Sequence, residues 1–208
     1  ADLSSADLSS ADLTSADLSS ADLSAADLTG ANLHRARLTG ADLSRATLAA
    51  ARLTDVHLDG ATLVDTDLAR ADAARVDFSA AALVSRLRLD GTDLEGALLR
   101  RAKLPGADLR RTKLRGATLA DCLLSGADAE GVALDGCDLT GSVWKGATLA
   151  GVSGAGVRAS RATFVDADLR RARLPGLDAS HADGRGARFE GADLTAARFV
   201  RASLEQAV

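Results

Sequence analysis

The chain reads as an all-β solenoid, and three observations lead there. One column recurs at every fifth position, 17 times from Leu3 to Leu83 and 24 more times from Leu89 to Leu204, with 15 Leu in each stretch and a large apolar residue at all but six positions, which are Ala or Gly. A second column, two residues earlier, is mostly Ala, and neither column ever carries a charge. All four Phe and the single Trp fall in the large column, at Phe78, Phe164, Phe189, Phe199 and Trp144. Helices and flat strands repeat at roughly 3.6 and 2 residues, so neither accounts for a strict period of five. A repeat of this kind, with two apolar positions per unit, specifies stacked coils around a continuous core.

The unbroken beat predicts one domain over residues 1–208. Residues 1–30 are six near-identical units, which recent duplication, an engineered consensus or a generic sequence would all produce. Residues 31–83 continue the same register, a one-residue insertion near 84–88 shifts it, and residues 89–208 hold the second register. An extra residue must bulge, so a kink or dislocation is expected around Val84, Ser85 and Arg86. Gly154 and Gly184 replace the core Leu, which predicts local thinning or a small cavity at each.

The units A(D/N)LXX, as in Ala31-Asn32-Leu33 and Ala107-Asp108-Leu109, resemble the pentapeptide-repeat family along essentially the whole chain. The resemblance implies a right-handed quadrilateral parallel β-helix, four units to a coil and about ten coils in all. It further implies that Leu fills the axis and Ala the corners, with coils stacked at about 4.8 Å. Some members of the family mimic duplex DNA in shape and charge and bind DNA gyrase. That makes gyrase a partner the resemblance allows. Three departures tell against it: near-neutral charge after residue 30, no long loop between coils, and no C-terminal helix.

Composition excludes several classes. Residues 1–30 hold six Asp and no base, leaving 23 acidic and 25 basic residues over 31–208, so the net charge of −4 comes from the first six units. The doublets Arg100-Arg101, Arg110-Arg111 and Arg170-Arg171 are matched by nearby acids and lack interleaved aromatics, so no direct nucleic-acid contact is expected. No apolar run of membrane-spanning length and no basic leader followed by an apolar stretch occurs, which predicts a cytoplasmic protein without a membrane anchor. The sequence contains no Met, as a processed or trimmed product or a fragment would not. No capping helix is seen at either end, so end-to-end self-association or missing flanks are expected to cover the terminal coils.

Chemistry-bearing residues are scattered. His34, His57 and His181 lie in outward columns far apart, and are expected to be exposed. Cys122 and Cys137 lie in the small inward column and are expected to be buried structural thiols. No metal-ligand spacing, phosphate loop or nucleophile motif occurs, so no catalytic residue, cofactor or metal is expected and the protein is read as a non-enzyme. Two outward features remain. Asp2, Asp22 and Asp42, and Asp7 with Asp27, are spaced to stack into an acidic face. Leu98, Leu123 and Val143 are aliphatic where the repeat prefers Asp, and are the candidate contacts for a protein partner. Regular Ser and Thr rows at Ser4, Ser9, Thr14 and Ser19 would suit ice binding, but they dissolve after Gly30.

Overall fold

The five-residue unit closes its own backbone hydrogen-bond account, and the stretch Asp22–Ala26 shows how. Asp22 N–H donates to the carbonyl of Ala1 in the preceding coil at 2.9 Å, and Leu23 N–H and Ala25 N–H donate forward to Asp42 and Ser44 at 2.8 and 2.9 Å. Ala26 N–H turns back onto the Leu23 carbonyl at 3.0 Å, closing a four-residue turn. One donor is left, Ser24 N–H, and the Asp22 carboxylate accepts it at 2.9 Å. All five N–H groups are thus satisfied, as buried or corner backbone requires. The third turn residue has a positive φ, as a type II turn demands: Gly60 adopts +68° and Arg45 +61°.

The structure, a computed structural model, describes residues 1–208, the side chain of Leu83 lying outside the described set. Parallel bridges join residues twenty apart, as in Asp2↔Asp22↔Asp42↔Thr62, so one coil takes four units and its four sides stack in register. Only β1 (Thr62–Val64) and β2 (Leu83–Ser85) are extended for three residues, and they pair in parallel. Elsewhere each short side contributes a single bridged residue between turns. Leu23, Leu28, Leu33 and Leu38, one per side of a coil, are fully buried and face the axis. Each such burial contributes about 1.5–3 kcal/mol. The core is therefore a set of aliphatic ladders running the length of the rod.

Polar residues enter the small inward column only where they can donate. The Oγ1 atoms of Thr66, Thr92 and Thr112 donate to the carbonyls of Leu43, Leu68 and Leu89 at 2.9, 2.7 and 2.8 Å. The thiols of Cys122 and Cys137 do the same to Leu99 and Leu114, each at 2.8 Å. Both cysteines are free and buried, and burial pushes both thiols up to about 12.

The dislocation is broader than residues 84–88. Towards the preceding coil, Thr62 pairs with Leu83 and Leu63 with Val84, twenty-one residues on. That offset is already present at Ala80, whose carbonyl accepts Gly60 N–H at 2.9 Å. The turn after Phe78 itself keeps its ordinary length, Ala81 N–H donating to the Phe78 carbonyl at 3.2 Å, so the extra residue is taken up at the corner between Ala81 and Val84, and Val84 takes the inward place opposite Leu63, 8% exposed. The expectation that the Leu83 side chain fills the core column lies outside the described residues. Towards the following coil the slip falls where the sequence placed it, with Ser85 bridged to Lys103. Twenty-residue pairing resumes at Asp93↔Lys113.

Gly154 leaves no hollow. A Cβ there would lie 2.7 Å from the Leu134 carbonyl carbon, so the backbone of the preceding coil occupies the place a side chain would take. At Gly184 Leu204 Cδ2 reaches in from the next coil, to 2.8 Å from where a Cβ would be, and a small apolar cavity of about 10 Å³ remains among Phe164, Leu177, Gly184, Phe199 and Leu204. The two outcomes expected of a missing core side chain are thus divided between the glycines, close backbone approach at Gly154 and a small cavity at Gly184. Phe189 and Phe199 pack edge to face nearby, with ring centroids 6.3 Å apart.

Candidate interaction face

The outward residue before each core position carries both the cap and the surface chemistry, so every functional reading of this chain passes through that column. Where it is Asp or Asn, the side chain accepts the N–H two residues on, in the manner of an Asx turn. The chain's two prolines are informative here. Pro105 and Pro175 occupy the turn position whose N–H the Asp would take, and in both units the Asp is replaced by a base, Lys103 and Arg173. Proline has no N–H to satisfy, so the cap can be given up there.

The acidic residues stack as spaced: Asp2 on Asp22 on Asp42, and Asp7 on Asp27. Each is engaged. Asp2 accepts the N–H of Ser4 at 3.1 Å and its hydroxyl at 2.7 Å, while Asp7, Asp27 and Asp42 take the N–H of Ser9, Thr29 and Ser44 at 3.0, 2.9 and 2.9 Å. The serine hydroxyl, then the serine N–H, holds the carboxyls of Asp2, Asp7 and Asp22 below the ordinary range. This ladder of like charges is relieved by the backbone it caps. Farther along, acids stack against bases: Arg86 clasps Asp65 at 2.6 Å, and Arg88 meets Asp67 at 2.9 Å.

The three aliphatic candidates do not form one patch. Leu98 is half-buried on an adjoining side, bridged between Asp77 and Thr118. Leu123 and Val143 stack directly, Leu123 being 43% exposed. Their column runs Lys103, Leu123, Val143, Thr163, Asp183, each bridged to the next. The trailing edge of the same face reads Pro105, Ser125, Lys145, Val165. From Lys103 to Val165 neither column contains an acid. Lys113, on another side, is paired with Asp93 at 2.8 Å, whereas among the described residues Lys103 and Lys145 have no carboxylate within such reach. At the leading edge, the Asp121 carboxylate leans over Gly141, where any side chain would collide with it. Lys103, Lys145, Thr163, Asp183 and Asp121 were missed by reading single units. The twenty-residue column would have found them.

Little else converges. His34 is half-buried rather than exposed, its Nδ1 within 2.9 Å of Thr54 Oγ1 in the next coil, while His57 and His181 are exposed. Among the described residues no three His, Cys, Asp or Glu side chains gather as metal ligands would. A shallow open notch lies where Ala150 and Gly151 leave a corner bare between Glu130 and Arg171. No helix is long and apolar enough to cross a membrane.

These features define a class, a parallel β-solenoid of four-sided coils with Asx-capped turns at many of its corners. The pentapeptide-repeat sequence profile matches residues 6–141 and 162–208, and the chain belongs to the pentapeptide-repeat family. Among solved structures it is similar to HetL, a pentapeptide repeat protein involved in heterocyst differentiation regulation from the cyanobacterium Nostoc sp. strain PCC 7120. The identity is 34%, over 100% of this chain and 88% of HetL, with a TM-score of 0.51. It is also similar in fold to a trypsin-treated form of QnrB1, a plasmid-mediated fluoroquinolone resistance protein, at 22% identity over 90% of this chain and 88% of that one, with a TM-score of 0.49. No curated protein matches the chain.

Proposed function

We propose that the protein is a non-enzymatic scaffold, a right-handed quadrilateral rod of about ten coils whose aliphatic patch at Leu123 and Val143 receives a protein partner. One observation carries this reading: Leu123 and Val143 stack outward at positions where the repeat's own backbone would be better served by Asp. Giving up a cap for an exposed aliphatic side chain sacrifices local stability, on the order of 1 kcal/mol per site. Residues that violate the fold's local rule without structural gain mark function. The face is bordered by glycine corners at Gly106, Gly126 and Gly146, around which a Cβ would meet nothing within 4 Å, so a flat partner can approach closely.

The gyrase-directed reading has less support. A DNA mimic needs carboxylates free to meet a partner, and here they cap turns or pair with arginine in the next coil, as Arg158 does with Asp138 at 3.3 Å. A photo-crosslinking residue placed at position 123, with position 133 on another side as the control, tests the scaffold reading in the cell. Protein adducts at 123 and few at 133 are expected; equal, low yields at both would overturn it. Gyrase subunits among the adducts would bring the alternative forward.

A further inference from the structure

A turn without its Asp leaves one N–H over, and the fold itself shows what can take it. In the unit where Ser153 stands in place of Asp, Ala155 N–H donates to Asp135 Oδ1, which reaches across from the preceding coil at 3.2 Å. A carboxylate from outside the unit can thus serve in place of its own. On the face of Leu123 and Val143 no such carboxylate arrives. Among the described residues no oxygen accepts the N–H of Ser125, Lys145 or Val165, three turns that follow one another from coil to coil. Elsewhere no more than two uncapped turns succeed each other on one side. These N–H groups face outward, since in capped units an outward side chain meets them, as Asp22 meets Ser24 N–H.

The charge around them has the matching sign. From Arg101 to Asp166 the column and its two edges carry four bases, Arg101, Lys103, Lys145 and Arg161, against two acids, Asp121 and Asp166, in a chain that is acidic as a whole. Asp166 leans away over Gly186 in the next coil, as Asp121 leans over Gly141. Unlike Lys113 and Arg158, which pair with Asp93 and Asp138, none of the four bases is ion-paired among the described residues.

We propose that the partner of this face is an acidic, extended protein segment in which carboxylates flank an aliphatic side chain. The proposal rests on the reading of the face as an interaction surface and gives its partner a chemistry. The aliphatic side chain packs on Leu123 and Val143, while the carboxylates accept from the free N–H groups and from the ammonium groups of Lys103 and Lys145. A charged acceptor makes the stronger bond, and each bond returns to a turn what the missing Asp took from it. Lys103 and the level of Lys145 are two coil spacings apart, about 10 Å, which roughly three residues of extended chain cover. A nucleic-acid backbone would answer the charge but not the aliphatic pair, and this face offers no outward aromatic ring for a base to stack on.

Amide NMR of the full chain, titrated with a blocked peptide alternating aspartate and leucine, is the direct test. The expected result is a downfield shift of the Ser125, Lys145 and Val165 amide protons, while that of Ser24, already capped by Asp22, stays in place. Affinity on the order of 100 µM, falling with salt, is the scale expected of so small a contact. Lys103→Glu combined with Lys145→Glu should weaken binding roughly tenfold, whereas Arg52→Glu combined with Arg75→Glu, the same change of charge on another side, should not. Trp144 fluorescence reports whether each variant is folded. Absence of binding at about 1 mM overturns the proposal. So does equal binding of the peptide with lysine in place of aspartate, equal binding of duplex DNA, or shifts that avoid these three amides. In the crosslinking experiment, the segments captured at position 123 should carry carboxylates within roughly three residues of the link. Neutral or basic segments there would remove the acidic partner and leave the scaffold reading standing; if position 123 captures nothing, both fall.

Discussion

Trp144 Nε1 donates to Ser142 Oγ at 2.8 Å, and Ser142 Oγ in turn donates to the Leu139 carbonyl at 2.6 Å. The largest side chain in the axis is thereby fitted into a lattice built for leucine, its one polar atom answered by a hydroxyl from the small inward column. Both residues are fully buried. Replacing Ser142 by Ala, the consensus residue of that column, would leave the indole N–H unsatisfied. A loss of about 1–3 kcal/mol is expected, against a near-neutral result for Ala at most corners. Denaturant unfolding followed by the fluorescence of this sole Trp measures it directly, and an unchanged midpoint would contradict the role given to the hydroxyl.

Acid sensitivity should follow the caps. Arg110 binds Asp108 through its side chain and its N–H, holding that carboxyl down to about 2. The carboxyls of Asp2, Asp7, Asp12 and Asp22 lie below 3.8, held there first by the hydroxyl of the following Ser or Thr. A folded-state value below the unfolded one contributes stability that is fully present above the unfolded value and is lost as pH falls through the folded one. Thermal stability should therefore be level down to roughly pH 5 and decline between roughly pH 4 and 2. Asp108→Asn keeps the acceptor and removes the charge, so it should make that decline shallower; a steeper decline would count against the cap as its source. Because these groups are exposed, salt should shrink the effect.

Leu123→Asp should stabilise the fold while removing its interaction. The new carboxylate can accept Ser125 N–H as Asp22 accepts Ser24 N–H. A gain of about 0.5–1 kcal/mol is expected, read as a raised Tm. A lowered Tm would mean that Leu123 serves the fold and not a partner.

The two kinds of glycine should respond differently to a methyl group. Gly60→Ala places a side chain at φ +68°, with its nearest atom an unstrained 3.8 Å away, and should cost about 1 kcal/mol. Gly154→Ala drives a Cβ to 2.7 Å from the Leu134 carbonyl carbon, and the coil must move. A loss of about 3 kcal/mol is expected, with faster hydrogen exchange confined to the neighbouring coils.

How legible was this in the sequence? The core was almost fully so, because Leu and Ala columns specify an inside that a square coil can build in only one way. Stacking followed from the four-unit coil that the family resemblance implies, which places Leu123 on Val143 and Asp2 on Asp22. The dislocation was legible in existence but not in extent: Leu83 and Val84 are both apolar, and either satisfies the five-residue beat. The glycines in the core column were legible as places where a side chain is missing, but which would bring backbone close, as at Gly154, and which would leave a small cavity, as at Gly184, was not. The Asp column was read only as charge; that it also accepts a backbone proton from the turn beside it is visible only when the N–H groups are followed one by one.

The insertion after Phe78 changes the pairing offset from twenty to twenty-one but leaves every later residue on the side it would otherwise occupy, as Asp67↔Arg88 and Asp77↔Leu98 show. The rod behaves like a four-position indexing wheel. A single extra residue is absorbed in a corner and the wheel keeps its setting; twenty extra residues lengthen the shaft without turning it. Five extra residues, although they make a perfect unit, would advance everything downstream by a quarter turn. Lys103, Leu123 and Val143 would then look out at right angles to Asp2, Asp22 and Asp42, with each coil as well packed as before. For a protein of this build, the mildest change to the fold can thus be the most drastic change to its orientation. Family members with identical cores can present their faces in any of four directions.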